Sequence, residues 1–429
     1  MIFKLRSFAK RTAPDWLVPA LQRSFLTTQQ AFGYMQYAAD VASLEWNYKG
    51  QTPQVYFPIS MGRMHPGWRT YLTYPPVSYV PHHRAKLCHW INSVPDGPGI
   101  PCIAECEHIL ALAGNITDWQ WGLQRTELIN RLVGQEQCRF VFTYSAGLVR
   151  HSRRYLHPDL WHKLGVVYQV FPTQAELPKP PGRPFTILCI ASRFSDKGVP
   201  EVLETFRILR SRHGADVQLV LVCQAMPRGW SLPEGVIHHD IPRMNDAFKE
   251  AVYRQADVLF IPAYSDTAGC FYEATAFGVP TVTTRIHHDD EFVRDGVTGF
   301  LIDTPVYSYS TEYGVRWRTW EEFLVDLDRI REQGGLQIIV DQSVTILERM
   351  IRGDVDLSAM GKAARQFHAK HFAPEVRNAR LREIYAAAIA DDMRPLESQL
   401  IPPTDDRPLP VQPLNSGQVT HISGHAGMT

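Results

Sequence analysis

Long apolar runs, paired cysteines and an excess of charge of either sign are all scarce in this sequence. No uninterrupted apolar stretch approaches the ~20 residues that span a bilayer, and the opening residues carry neither the apolar segment nor the small-residue cleavage site of a secretory signal. A cytoplasmic protein is the expectation. The seven cysteines are odd in number and scattered. Cys102 with Cys106 has no second pair beside it, so neither a disulfide framework nor a zinc ribbon is suggested. Lysine plus arginine balances aspartate plus glutamate at 44 each, which leaves no whole-chain field to attract a polyanion, and no nucleic-acid partner is expected. Spaced metal ligands are missing too. The run His287-His288-Asp289-Asp290-Glu291 and the pair His82-His83 consist of adjacent residues, which point in several directions, whereas one metal ion needs convergent ligands.

What is present is ordinary globular composition, 45% apolar and 21% charged over 429 residues, enough for two or three domains. Near the start Lys4, Arg6, Lys10, Arg11 and Arg23 interleave with Phe3, Leu5, Phe8, Trp16, Leu17 and Leu21. That pattern suits either a helix lying on a membrane surface or a first helix packed on its own domain. Pro14 and Pro19 interrupt any long amphipathic face and favour the second.

A proline-rich stretch at 173–184 is stiff and unsuited to a central strand, and it marks a linker. After it, short apolar runs alternate with amphipathic segments. Strands are expected at Phe185–Ala191, Val217–Cys223, 236–238, Val258–Ile261 and 281–283, with helices at 201–212, 245–255 and 271–277. The alternation predicts a doubly wound α/β domain whose ligands sit beyond the carboxyl ends of the strands. Before the linker the pattern is less regular, with candidate strands at 54–59, 79–81, 100–105 and 139–144 and a helix at 127–132. The expected division is a first α/β domain at 1–172, the linker, a second at 185–372, a closing helix at 373–392 and a solvated tail at 393–429.

Two segments of the second domain carry chemistry. Ser192-Arg193-Phe194-Ser195-Asp196-Lys197-Gly198 follows a buried strand and precedes a helix. Two cations on such a turn can converge on a diphosphate, aided by the unpaired N–H groups and positive dipole end of the helix. Arg193 and Lys197 are the expected clamp. Taken alone, two such charges are more often solvated surface. The second segment, running from Pro262 to Pro280, places Asp266 and Gly269 on a turn and Glu273 on a short helix. Carboxylates accept hydrogen bonds from hydroxyls, and a glycine turn lets main-chain N–H groups approach a polyhydroxylated ligand. Alone, a helical glutamate such as Glu273 more often caps or makes a local salt bridge.

At these residues the sequence resembles the family-4 glycosyltransferases. Arg193 and Lys197-Gly198 match the family's phosphate loop. Asp266-Thr267-Ala268-Gly269 and Glu273-Ala274-Thr275-Ala276-Phe277-Gly278-Val279-Pro280 match its acidic motif, and Glu291 through Leu301 resembles its E-x-V-x-D-G-x-T-G-x-L segment. Met360 through Arg365 and Phe372 through Tyr385 look like its closing helices. The order of four such elements over about 200 residues is far more specific than any one of them.

The resemblance implies an α/β chain of the GT-B kind, with two Rossmann-like domains facing a central cleft. It further implies a hexosyltransferase-type enzyme that moves sugar from a nucleotide-diphosphate sugar, with retention and without metal or other cofactor. In that scheme Arg193, Lys197 and Gly198 hold the diphosphate, and Glu273 holds the ribose. Asp266 and the Gly269 and Cys270 backbone hold the transferred sugar, and the segment containing Ile241 and Arg243 lines the base. Two departures stand out. Six residues lie between Asp266 and Glu273, one fewer than in the family's common form, and Ala268 replaces an aromatic residue. On the acceptor side His108 and Glu107 follow an expected strand, His108 as a contact to the reacting groups and Glu107 as a base, while a buried structural pair is an equal reading. Ser145-Ala146-Gly147 is given no chemical role. The expected partners are a nucleotide-diphosphate sugar and a glycan, glycolipid or other acceptor, with peripheral membrane contact at the cytoplasmic face as a further expectation and polysaccharide biosynthesis as the setting. A non-catalytic nucleotide-sugar-binding scaffold, or an epimerase or phosphorylase of the same fold, stays open as an alternative.

Overall fold

The computed structural model describes residues 55–56 and 86–393, apart from 92–93, 95–100, 107, 114–123, 177–178, 180, 224–225, 228–229, 241–245, 266–267, 287–288 and 309–319. Asp266, Ile241, Arg243 and Glu107 thus lie outside the described residues. So do the basic stretch at the start, the expected strand at 79–81, both histidine pairs and the tail beyond 393.

The chain builds two parallel sheets. The first runs β1 (Val55–Tyr56), β2 (Leu87–Ile91), β3 (Cys102–Glu105), β4 (Cys138–Thr143) and β5 (Leu164–Val166), in that order across the sheet. Helices α1 (Thr126–Gly134) and α2 (Ala146–Ser152) connect its later strands. The second sheet contains β6 (Phe185–Ala191), β7 (Val217–Cys223), β8 (Val236–His239), β9 (Val258–Ile261), β10 (Thr281–Thr284) and β11 (Gly299–Ile302), ordered β11-β10-β9-β6-β7-β8. Its helices are α3 (Val199–His213), α4 (Asp246–Gln255), α5 (Ala268–Phe277) and the short α6 (Asp289–Phe292). Four more follow, α7 (Trp320–Glu332), α8 (Gln337–Ile351), α9 (Leu357–His371) and α10 (Pro374–Ala390).

The apolar run of β6 is buried on both faces, as parallel strands between helix layers must be. Ile187, Cys189 and Ala191 enter one core with Phe206 and Leu209 of α3 and Leu347 of α8. Leu188 and Ile190 enter the other with Tyr253 of α4 and Phe271 of α5. Strand order reverses at β6, which is flanked by β7 on one side and β9 on the other. A parallel sheet opens a crevice at such a reversal, beyond the carboxyl ends of the two diverging strands. The loops leaving β6 and β9 are the two segments singled out by their chemistry.

The last helix does not stay with the second sheet. Leu381, Ile384, Tyr385 and Ala388 of α10 pack against Leu87, Ile103, Phe140, Phe142 and Val167 of the first. Arg377 of α10 donates to both oxygens of Glu105 on β3, at 2.9 and 3.0 Å. His89 of β2 lies 3.3 Å from that carboxylate and bonds the Tyr385 hydroxyl at 2.9 Å. Burial pushes the Glu105 carboxyl up, but Arg377 and then His89 outweigh it and hold it below the ordinary range.

Strands β2, β5 and β11 escape sequence reading, the first two for physical reasons. In β2 the buried His89 interrupts an apolar run because its partner is a charge on the next strand. In β5 Gly165 reads as a breaker, yet a Cβ there would stand 2.2 Å from the Phe140 ring. Helix α5 starts three residues before its expected position at 271 and takes in Gly269.

Candidate functional site

Beyond β6, the Arg193 side chain lies across the loop rather than free of it. Its Nε donates to both oxygens of Asp196, at 2.9 and 2.8 Å, and Nη2 reaches Ser265 Oγ at 3.2 Å. The Ser265 hydroxyl in turn donates to Asp196 Oδ2 at 2.6 Å. Burial pushes the Asp196 carboxyl up, but the Arg193 hydrogen bond and charge, with Lys197, bring it below its ordinary value. Arg193 nonetheless keeps 47% of its side chain exposed. Lys197 is buried, with Nζ 3.4 Å from the Ser265 carbonyl. Both cations therefore meet at Ser265, in the segment after β9.

Gly198 fixes that meeting. It has φ of 71°, and a Cβ would stand 2.2 Å from the Pro262 carbonyl oxygen. Only glycine lets the helix start approach the end of β9 so closely. At Gly269, by contrast, nothing among the described residues lies within 4 Å of where a Cβ would be, and φ is not positive. The packing of the described residues makes no demand for glycine there.

Glu273 lies one turn further along α5, buried. Its Oε1 accepts from Lys249 Nζ at 2.6 Å and its Oε2 from the Tyr253 hydroxyl at 2.8 Å. Lys249 and Tyr253 are four residues apart on α4 and so share a face. Sequence reading missed them. The signal was a lysine on the inward side of an amphipathic helix, visible only once the helix phase is fixed. The Cys270 thiol is pushed up to about 12, first by burial and then by Glu273, while Lys197 and Lys249 act in the opposite sense. The charges of Lys197, Lys249 and Glu273 thus all act on one half-buried side chain.

His108 belongs to the first sheet's side. Its Nδ1 accepts from the Leu110 N–H at 3.1 Å, which places the ring proton on Nε2, 2.7 Å from His151 Nδ1. His151 Nε2 then donates to the Tyr155 hydroxyl at 3.2 Å. Burial, with Arg154, lowers His151 to about 4. His108 and His151 are buried and Tyr155 half-buried, and the hydrogen bonds joining the three lie within the first half.

The two halves meet at Glu291 of α6. Its carboxylate accepts from the Ala146 and Gly147 N–H groups at the start of α2, at 2.8 and 2.7 Å, and from the Tyr168 hydroxyl at 2.7 Å. Burial and then Glu291 raise the Tyr168 hydroxyl well above its usual range. Ser145, given no chemical role, caps α2 through the Leu148 N–H at 3.1 Å. Glu291 sits 145 residues away in sequence, beyond the reach of local pattern. Among the described residues no cluster of three or more His, Cys, Asp or Glu could hold a metal ion. Nor is any described helix long and apolar enough to cross a membrane.

Residues 184–307 match the family model described as glycosyl transferases group 1. Over 144 residues the chain is 31% identical to a D-inositol 3-phosphate glycosyltransferase of Arthrobacter sp. (strain FB24), covering 30% of this chain and 33% of that protein. A protein of the same name from Nocardia farcinica (strain IFM 10152) is 27% identical over 179 residues, 38% of this chain and 37% of that one. The chain therefore spans about a third of the length of the curated relatives it matches. Among solved structures, Anabaena Alr3699/HepE in complex with UDP and glucose is 14% identical, covering 71% of this chain and 78% of that one, with a TM-score of 0.44. WaaG, a glycosyltransferase involved in lipopolysaccharide biosynthesis, is 16% identical over 72% of this chain and 78% of that one, with a TM-score of 0.43.

Proposed function

We propose, from the premise that residues 184–307 are a glycosyl transferases group 1 segment, that this protein is a glycosyltransferase using a nucleotide-diphosphate sugar. The observation that carries the proposal is the meeting of Arg193 and Lys197 at Ser265, where strand order reverses, with Glu273 behind them. The donor side is 185–372 and the acceptor side 1–172.

In the reaction the bond from the anomeric carbon to the diphosphate breaks, leaving its electron pair on a phosphate oxygen. An acceptor hydroxyl oxygen bonds to the same carbon and releases its proton. Charge grows on the departing diphosphate, so fixed cations aimed there lower the barrier most. Arg193 is suited to this because Asp196 already anchors its Nε edge, and little reorganisation remains. Lys197 is suited because burial strengthens its field. Gly198 sets the loop against β9, and the first turn of α5, with Gly269 and Cys270, offers main-chain N–H groups to the sugar. Asp266 binds sugar hydroxyls, the segment with Ile241 and Arg243 takes the base, and Glu273 takes the ribose. Transfer proceeds with retention and needs no metal, to a glycan, glycolipid or other acceptor held on the side of His108. The protein works in the cytoplasm, at the face of a membrane where its basic start makes contact.

The test is product release. Incubated with a panel of nucleotide sugars and acceptors, the protein should liberate nucleoside diphosphate only when an acceptor is supplied. Binding without release across the panel would favour a scaffold, and release of a modified sugar nucleotide without acceptor would favour an epimerase.

A further inference from the structure

Lys249 is buried on the inward side of α4, beside Val252 and Tyr253, which are themselves part of the apolar core. Packing alone would be served as well by leucine or methionine, because replacing a buried ion pair by apolar side chains is often neutral or stabilising. The lysine instead spends its charge on Glu273 Oε1, at 2.6 Å. Tyr253 stacks on Phe277, with ring centroids 5.1 Å apart and 5° between planes, and this fixes its hydroxyl against Oε2. Each carboxylate oxygen thus receives one donor from α4. A carboxylate oxygen has two lone pairs, so each keeps one for a further hydroxyl.

We infer that Lys249 and Tyr253 are positioning residues that hold the Glu273 carboxylate in the orientation that accepts both hydroxyls of a ribose diol, and so make the site discriminate against a 2′-deoxyribose. The inference rests on the donor assignment to this crevice. A ligand lacking the 2′-hydroxyl leaves one oriented lone pair of a buried carboxylate unmatched, and such a loss is penalised more than a missing solvent-exposed contact. Without Lys249 or Tyr253 the carboxylate turns more freely, and the penalty for the missing hydroxyl fades.

The experiment measures dissociation constants for UDP, GDP and ADP, each beside its 2′-deoxy counterpart, by calorimetry on the full chain. The parent protein should prefer the ribose form of whichever base it binds by about ten-fold or more, the range of one hydrogen bond to a charged group. Lys249→Met and Tyr253→Phe should each bring the preference to within about three-fold, and Lys249→Arg should restore part of it. If the parent binds none of the diphosphates, the donor assignment itself falls and the inference with it. If the parent discriminates and both variants discriminate equally well, the inference alone is overturned, as it is if the parent shows no preference. Should Lys249→Met fail to fold, Tyr253→Phe decides the matter, because it keeps the ring stacked on Phe277.

Discussion

The two sheets of this protein are completed in opposite ways. The second is built from its own neighbourhood in sequence: strand, loop and helix follow one another, and the site sits on the loops between them. The first is finished by a helix from the far end of the chain, and the pair joining them, Glu105 and Arg377, is 272 residues apart. Local construction leaves chemistry in short motifs, whereas long-range closure leaves it in single buried charges. Variants can break or sharpen this contrast.

The largest expected effect lies in the second half. Replacing Arg193 and Lys197 together by alanine should lower turnover by about three orders of magnitude or more, the scale of losing preorganised charge at a reacting group, while the far-UV circular dichroism stays that of the parent. Turnover within ten-fold of the parent would remove the site from this loop. Next comes the first half, where Arg377→Met leaves the buried Glu105 carboxylate without its arginine counter-charge. A cost of about 3–5 kcal/mol is expected in denaturant unfolding, as for any broken buried pair. A cost near zero would mean that α10 is dispensable to the first sheet.

Acid should act on both halves. His151 in the first and His368 beside Phe171 and Thr275 are each lowered to about 4, chiefly by burial. The folded values lie below the unfolded one near 6.5. Their neutral form therefore contributes stability that is complete above pH ~6.5 and is lost as pH falls towards 4, on the order of 3 kcal/mol for each histidine. Unfolding free energy measured from pH 7 to 4.5 should fall steadily; a flat profile over that range would contradict the burial of both. The smallest effect belongs to the seam. Glu291→Gln keeps one carbonyl oxygen for the start of α2 but loses the charge, and should cost about 1–2 kcal/mol. Stability equal to the parent would show that Glu291 does not hold the two halves together.

The same contrast governs what the sequence disclosed. Strands β6, β7 and β9 were legible because burial on both faces demands an apolar run, and the loop 192–198 because two cations precede a helix. Arg193 and Lys197 both reach Ser265, and Asp196 as the anchor of Arg193 was not foreseen, although it stands only three residues on. Glu273 emerged as a residue already bonded on both oxygens, since helix phase, not spacing, decides that Lys249 and Tyr253 face it. Glu291 and Ser145-Ala146-Gly147 looked unrelated because their contact exists only when the halves meet. His108 was read as either catalytic or buried and satisfied, and the structure gives it a tautomer and a partner, His151, that no local pattern announces.

The central claim is that Arg193, Lys197 and Glu273 line one pocket for a sugar joined to a nucleoside diphosphate. Calorimetric titration of nucleoside diphosphates into the parent and into the Arg193→Ala, Lys197→Ala double variant tests it most directly. Binding weakened by about a hundred-fold or more in the double variant, the scale of two lost charge-assisted hydrogen bonds, is the predicted result; equal affinity for the two proteins would contradict the account.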